Sequence, residues 1–247
     1  MAGHSKWANI KHRKARQDAK RGKIYTKLIR ELTVAAKAGG GDPADNPRLR
    51  LALDKANSEN MPKDTIKRAI ERGTGAGESG NLEEVTYEGY GPGGVAILVE
   101  AMTDNRNRTV AEVSRHAFTK FGGNLGTDGS VSYLFNKIGF AQVDPNADEE
   151  IVMDILLEND GEDLEVGSES IDITVPFQNL SSFVETLKNK NIGILNAEVT
   201  MRADTSIALD QETGEKLLRI LDFLEDVDDV QEVHSNAEFP DNFEPGD

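Results

Sequence analysis

Residues 140–201 read FAQVDPNADEEIVMDILLENDGEDLEVGSESIDITVPFQNLSSFVETLKNKNIGILNAEVTM, and the way apolar positions recur along this stretch decides the fold. Short β-branched and aromatic runs at 140–143, 164–166, 171–175 and 195–201 predict strands. Between them, 148–158 and 180–189 carry apolar residues at helical spacing. The resulting order, βαββαβ, is that of the ferredoxin-like split unit, and it accounts for residues 136–203 as one domain.

Outward from that unit, the flanking elements look unfinished on their own. Upstream, strand patterns at 85–90 and 95–102 are joined by a Gly/Pro-rich connection, and a helix over 108–120 stops at Gly122-Gly123. Downstream, a helix over 212–224 and a strand over 230–234 are left without partners. Joining the two sets predicts a discontinuous α/β domain, 81–135 plus 204–238, into which the ferredoxin-like domain is inserted. Further upstream, apolar residues at helical spacing (Ile24, Leu28, Ile29, Leu32, Ala35, Ala36), then Leu49, Ala52, Leu53 and Ala56 behind Asn46-Pro47, then Ile66, Ala69 and Ile70 before Gly73, predict three helices. Residues 1–80 thus form a helical domain with a basic arm in front and a Gly-rich linker behind. The acidic tail, 239–247, is expected to be disordered. The fold class is α+β with three domains.

Composition removes several function classes. The 247 residues contain no cysteine, which excludes disulfides, thiolate zinc sites, iron–sulfur clusters and cysteine nucleophiles. Residues 1–16 lack an apolar signal core, and no apolar run approaches the roughly 20 residues of a membrane span, so a cytoplasmic protein with no membrane partner is expected. The motif Gly89-Tyr-Gly91-Pro-Gly93-Gly94 matches G-x-G-x-x-G, but the β-branched run that follows predicts a strand where a dinucleotide site needs a helix. His4 and His12 have no partner at metal-ligand spacing, and His116 and His234 sit in no catalytic motif. The chain is read as non-enzymatic, with no cofactor and no metal.

Charge is the informative quantity. The net charge of −16 is segregated: residues 1–72 hold 18 Lys/Arg and 8 Asp/Glu, whereas the remainder holds 10 and 36. A basic segment suits a polyanion, and an acidic body suits a basic protein partner. The candidate nucleic-acid-binding residues are Lys6, Trp7, Lys11, His12, Arg13, Lys14, Arg16, Lys20, Arg21, Lys23, Lys27 and Arg30. Six of them (Arg13, Arg16, Lys20, Lys23, Lys27, Arg30) step by three or four, which on one helix makes a stripe about 25 Å long. Like charges stacked in this way destabilise a bare helix, a repulsion that an anion would relieve. Trp7 would stack on an exposed base. Arg106 and Arg108 are a candidate secondary anion contact, in a loop whose Asp104, Asn105 and Asn107 serve equally well as turn and cap residues.

Several segments together resemble a known family: Gly3-His-Ser-Lys-Trp-Ala-Asn-Ile-Lys-His-Arg-Lys14, Asn46-Pro-Arg-Leu-Arg50, Asn60-Met-Pro-Lys-Asp64, Tyr87-Glu-Gly-Tyr-Gly-Pro-Gly-Gly94, Asp104-Asn-Arg-Asn-Arg-Thr109 and Gly122-Gly-Asn-Leu-Gly126. They are similar, in register over nearly the whole chain, to the signatures of the YebC/PmpR family, which includes the mitochondrial translational activator of cytochrome oxidase. The resemblance implies a three-domain α/β fold, no known catalytic activity and a cytoplasmic location in bacteria. It implies regulation of gene expression, read in two ways. One is a DNA-binding transcriptional regulator, for which the residues themselves offer a candidate helix–turn–helix, 47–57 then 63–72, with Lys63, Lys67 and Arg68 for a groove; its turn is long, and the alternative is a plain three-helix packing unit. The other is a factor bound to the ribosome or ribosomal RNA that eases elongation at difficult sequences, where shape and stacking count for more. A pure protein adaptor would leave the arm unexplained. Ser114 stands as an additional residue before Arg115, which would rotate the following side chains by about 100°, so no role is carried onto Arg115.

Overall fold

A computed structural model of the chain describes residues 21–75, 82–240 and 243, the side chains of 21 and 114–117 excepted. Within it the chain divides into two compact units, 1–135 with 203–247, and 136–202.

The first unit opens with three helices: α1 (Arg21–Gly39), α2 (Pro47–Ser58) and α3 (Lys63–Gly73). The apolar positions picked out by helical spacing meet in one core of Leu28, Leu32, Ala35, Leu49, Ala52, Ala56, Met61, Ile66 and Ala69. Asn46 caps α2 by accepting from Leu49 N and, buried, donates to the carbonyls of Ala35 and Gly40. The end of α1, the loop and the start of α2 are thereby held by one side chain. Gly73 ends α3 where a Cβ would lie 2.3 Å from Thr33 O, so the close approach of α3 to α1 requires glycine.

The same unit contains a four-stranded antiparallel sheet in the order β3-β1-β2-β9: β1 (Glu83–Tyr90), β2 (Ala96–Thr103), β3 (Asn124–Leu125) and β9 (Val230–Ser235). The β1–β2 register runs from Glu83 opposite Thr103 to Tyr90 opposite Ala96. The Gly-rich connection is a single 3₁₀ turn (Pro92–Gly94) in which Gly93 and Gly94 have φ of 74° and 78°, and a strand follows it, as the rejection of a dinucleotide loop requires. One sheet face packs on α4 (Arg106–Ala111), its continuation through Glu112–Thr119 and α7 (Gln211–Asp226), around Ile97, Val99, Val113, Phe118, Leu217, Leu221 and Val233. Elements from both sides of the insertion therefore build one core, because β9 completes the sheet beside β2. Residues 112–119 run as π-helix, which closes bonds at i→i+5 and takes in one more residue per turn. Phe118, within this stretch, is fully buried. A short parallel pair, β8 (Ile207–Ala208) with β10 (Ala237–Glu238), closes the unit.

The second unit is a sheet ordered β5-β6-β4-β7, from β4 (Phe135–Val143), β5 (Asp163–Val166), β6 (Ile171–Pro176) and β7 (Ile194–Ala203). Helices α5 (Glu149–Glu158) and α6 (Leu180–Asn189) complete the βαββαβ order. Asp148 caps α5 through Glu150 N and Ile151 N. The fully buried residues include Val143, Val152, Ile171, Val175, Leu180, Phe183 and Leu187.

At the start of the segment read as an acidic tail, Phe239 is buried and its ring centroid lies 4.7 Å from that of Phe243, the two rings tilted by 49°. Both phenylalanines contribute to the sheet-domain core. Gly214 of α7 makes room, since a Cβ there would meet Phe243 at 2.8 Å. Residues 241–242 and 244–247 lie outside the described residues.

Candidate nucleic-acid interface

Of the twelve candidate nucleic-acid-binding residues, Lys6, Trp7, Lys11, His12, Arg13, Lys14, Arg16 and Lys20 lie outside the described residues, and Arg21 is described by its backbone only. Lys23, Lys27 and Arg30 do share one side of α1, as their spacing predicts. That side meets the acidic turn between α7 and β9, whose sequence from 225 to 229 is Glu-Asp-Val-Asp-Asp. Lys23 Nζ lies 2.7 Å from Asp226 Oδ1 and 2.9 Å from Asp226 O. Lys27 Nζ donates to Gln231 O at 3.3 Å. Arg30 donates to Asp228 O and lies 2.9 Å from Asp229 Oδ1. The anion that relieves repulsion along this part of the stripe is thus supplied by the chain itself.

The three contacts differ in strength. The Lys23 and Asp226 side chains are 33% and 69% exposed, and such surface pairs contribute about 0–1 kcal/mol. A phosphate could replace Asp226 at little cost. Asp229 is 2% exposed and the Arg30 side chain 18%, and removing one partner of a buried pair costs several times more. Arg30 is therefore a brace, while Lys23 is exchangeable.

Asp229 is the centre of a wider network. Its Oδ2 accepts from Thr109 Oγ1 at 2.7 Å, from Arg108 at 2.7 Å and 3.2 Å, and from Thr103 Oγ1 at 3.2 Å. Its Oδ1 makes the Arg30 ion pair in distance but not in hydrogen-bond alignment. Burial pushes the carboxyl up, but hydrogen bonds from Arg108 and Thr109 and the charges of Arg30 and Arg108 together hold it below its ordinary value. Arg108 also bonds Asp104 Oδ1 at 2.9 Å, and its own pKa is raised mainly by the Asp229 hydrogen bond. Arg106 pairs with Glu83 at 2.7 Å in an exposed contact. The loop meanwhile performs its capping role, because Asn105 accepts from Arg108 N at the start of α4. Both arginines of the candidate secondary anion contact thus already hold carboxylates.

Asp229 escaped sequence reading because Arg108 is 121 residues away from it and no local pattern marks either residue. The same holds for Glu88, whose carboxylate is buried and accepts from the backbone N–H groups of Gly129, Val131 and Ser132 at 2.7–2.8 Å. Burial acts against ionisation there, but the three amides outweigh it and lower the pKa. This is an anion nest filled by the protein's own side chain. Arg48 bridges Glu31 and Glu84, each at 2.7 Å; burial opposes its charge, yet the two carboxylates raise its pKa.

In the helical domain, α2 and α3 pack chiefly on α1 rather than on each other. Lys63, Lys67, Arg68 and Arg72 are exposed on α3, with Lys67 only 3.7 Å from Glu71. Among the described residues no group of three or more His, Asp or Glu side chains could hold a metal ion, and no helix is long and apolar enough to cross a membrane.

Comparison with known proteins adds the following. The family model for the TACO1/YebC protein N-terminal domain matches residues 5–76, and that for the TACO1/YebC second and third domain matches residues 82–237. The transcriptional regulatory protein PmpR of Pseudomonas aeruginosa is 60% identical over 243 residues, 98% of each chain. A probable transcriptional regulatory protein of Alcanivorax borkumensis is 58% identical over 242 residues, 97% of this chain and 98% of its own. The crystal structure of a conserved hypothetical protein, Aq1575 from Aquifex aeolicus, superposes with a TM-score of 0.82 at 44% identity, covering 91% of this chain and 93% of that one.

Proposed function

This chain belongs to the TACO1/YebC family, and from that premise we propose that it is a regulator of gene expression that grips nucleic acid with its basic N-terminal segment, acting on DNA as a transcriptional regulator. The observation that carries this reading is the charge segregation, 18 basic against 8 acidic residues up to position 72 in a chain of net charge −16. Relatives named as transcriptional regulators support the cellular role.

Phosphate contact is assigned to the cations of the arm, Lys6, Lys11, Arg13, Lys14, Arg16, Lys20 and Arg21, with His12 among them and Trp7 available to stack on a base. Lys23, Lys27 and the exposed Arg106 join by exchanging weak contacts for phosphate. Arg30 and Arg108 act as braces for Asp229 and touch nucleic acid little. The exposed cations of α3 extend the positive surface.

A second reading, a factor bound to ribosomal RNA, has one specific observation in its favour. Among the described residues α2 and α3 pack chiefly on α1 rather than on each other, which suits a three-helix packing unit better than the reading head of a helix–turn–helix. A cationic arm with one tryptophan suits structured RNA, where stacking and shape dominate.

The test compares the intact protein with a form lacking residues 1–20, titrated against duplex DNA and against ribosomes over a salt series. Six arm cations on duplex phosphates give a slope of log K against log salt near −5, which the deletion flattens. Binding to promoter DNA that survives competitor DNA supports the transcriptional reading. Tight ribosome binding with weak, sequence-blind DNA binding replaces it with the second. Arm-independent binding to both overturns the proposal.

A further inference from the structure

Strand β1 has a neighbour on each side only at its far end. Gly89 and Tyr90 pair with Leu125 and Asn124 of β3, whereas residues 83–88 have β2 on one side and, among the described residues, no strand on the other. The direction of the open hydrogen-bonding groups follows from the ladder. Gly126 N donates to Glu88 O at 2.7 Å on the β3 side. In an antiparallel ladder alternate residues aim their N–H and C=O to opposite sides, so Thr86 and Glu84, in phase with Glu88, present theirs to the open edge. A groove of about 520 Å³ lies along it. Val85, Tyr87, Val110 and Leu125 form its apolar lining, and Glu84 and Asp128 are among its polar residues. The Tyr87 hydroxyl is buried beside the Thr109 side chain.

Exposed edges are usually blunted by lysine, proline or a bulge. Residues 83–88, Glu-Glu-Val-Thr-Tyr-Glu, contain no lysine or proline, and the register against β2 is unbroken along them. The remaining defence is negative charge. An antiparallel second copy centred on Thr86 would set Glu84 opposite Glu88, and like charges directly opposite are destabilising. A cationic strand meets the opposite situation. Glu83, Glu84 and Asp128 outnumber Arg48 and Arg106 along the edge, Asp128 has no ion pair among the described residues, and the chain beyond residue 72 carries 36 acidic residues against 10 basic.

We propose that the open edge of β1 is a strand-addition site for an extended, lysine- or arginine-bearing segment of a partner protein, which pairs with the backbone of Glu84 and Thr86 and lays alternate side chains in the groove. The site shares Arg106, the partner of Glu83, with the nucleic-acid surface, but its backbone pairing at Glu84 and Thr86 stands whether or not that reading holds.

The test uses the full-length protein and a blocked ten-residue peptide alternating lysine with threonine and valine, labelled for fluorescence anisotropy at physiological salt. The substitution Thr86→Pro removes an N–H that pairs with nothing inside the sheet, a position where an edge strand tolerates proline. Binding to Thr86→Pro is expected to fall about tenfold, from the lost rung and the peptide carbonyl left unpaired. Thr86→Val keeps the backbone donor and is expected to bind within about twofold of the parent. The same peptide N-methylated at alternate residues keeps its charge, cannot pair as a strand, and is expected not to bind; this arm needs no variant to fold. Equal binding of the methylated peptide, equal binding to Thr86→Pro, or no saturation up to about 1 mM, where the free energy of binding has fallen to about 4 kcal/mol, overturns the proposal. So does self-association of the protein that Thr86→Pro abolishes, since the edge would then belong to a second copy.

Discussion

Replacing Asp229 with asparagine keeps the side-chain shape and removes the charge on which Arg30, Arg108, Thr103 and Thr109 converge. In the variant an NH₂ faces at least one group that can only donate. Hydrogen bonds to a charged group contribute about 1.5–3 kcal/mol each, and breaking a fully buried pair costs about 3–5 kcal/mol. The Arg108 side chain is 44% exposed and Arg30 18%, so both guanidinium groups recover part of their hydration and the upper figure is too large. A loss of about 2–4 kcal/mol is expected. At about 2–4 °C per kcal/mol for a chain of this size, Tm falls by roughly 5–15 °C. With two compact units, hydrogen exchange of peptides covering 96–112 and 226–235 should accompany the melt, because global unfolding need not be two-state. The pH dependence supplies an independent check. A carboxyl held below its ordinary 3.8 binds protons less readily folded than unfolded, so its contribution is complete at neutral pH and disappears as pH falls from 3.8 through the depressed value. The parent should therefore lose its advantage over Asp229→Asn in acid. A difference under about 0.5 kcal/mol, the range of an ordinary surface change, or a difference equally large at pH 7 and pH 3, would refute the reasoning.

Two further outcomes follow from the same physical chemistry. Glu88→Gln replaces an acceptor of three backbone N–H groups by an amide with one oxygen, and should cost about 1–3 kcal/mol; faster hydrogen exchange at Gly129, Val131 and Ser132 locates the loss. Because the Glu88 pKa is also lowered, this contribution likewise fades as pH drops below the ordinary carboxylate range. Asn46→Ala removes the α2 cap together with two buried donations and should cost about 2–3 kcal/mol, more than a surface cap, read as a lower urea midpoint with unchanged m-value.

Local chemistry alone determined most of the architecture. Helical spacing and the Asn46-Pro47 start placed α1 to α3 to within a few residues, because caps and apolar periodicity act over one or two turns. The βαββαβ order could be read for a similar reason, each element announcing its own period. Tertiary structure decided what those patterns leave open. Lys23, Lys27 and Arg30 occupy one side of α1 as their spacing requires, but that side faces the 226–231 turn, roughly 200 residues away in the chain. Spacing tells which residues share a face, never what the face meets. Asp229 looks like one more acid in an acidic stretch until folding places Arg30 and Arg108 beside it and water is removed. Phe239 and Phe243 likewise carry no local mark in the sequence, and only folding sets them over Gly214. Short-range preferences are written in the order of residues; burial, ion pairing and the open side of β1 arise only when distant segments meet, because their free energies depend on solvent exclusion and geometry that no local window contains.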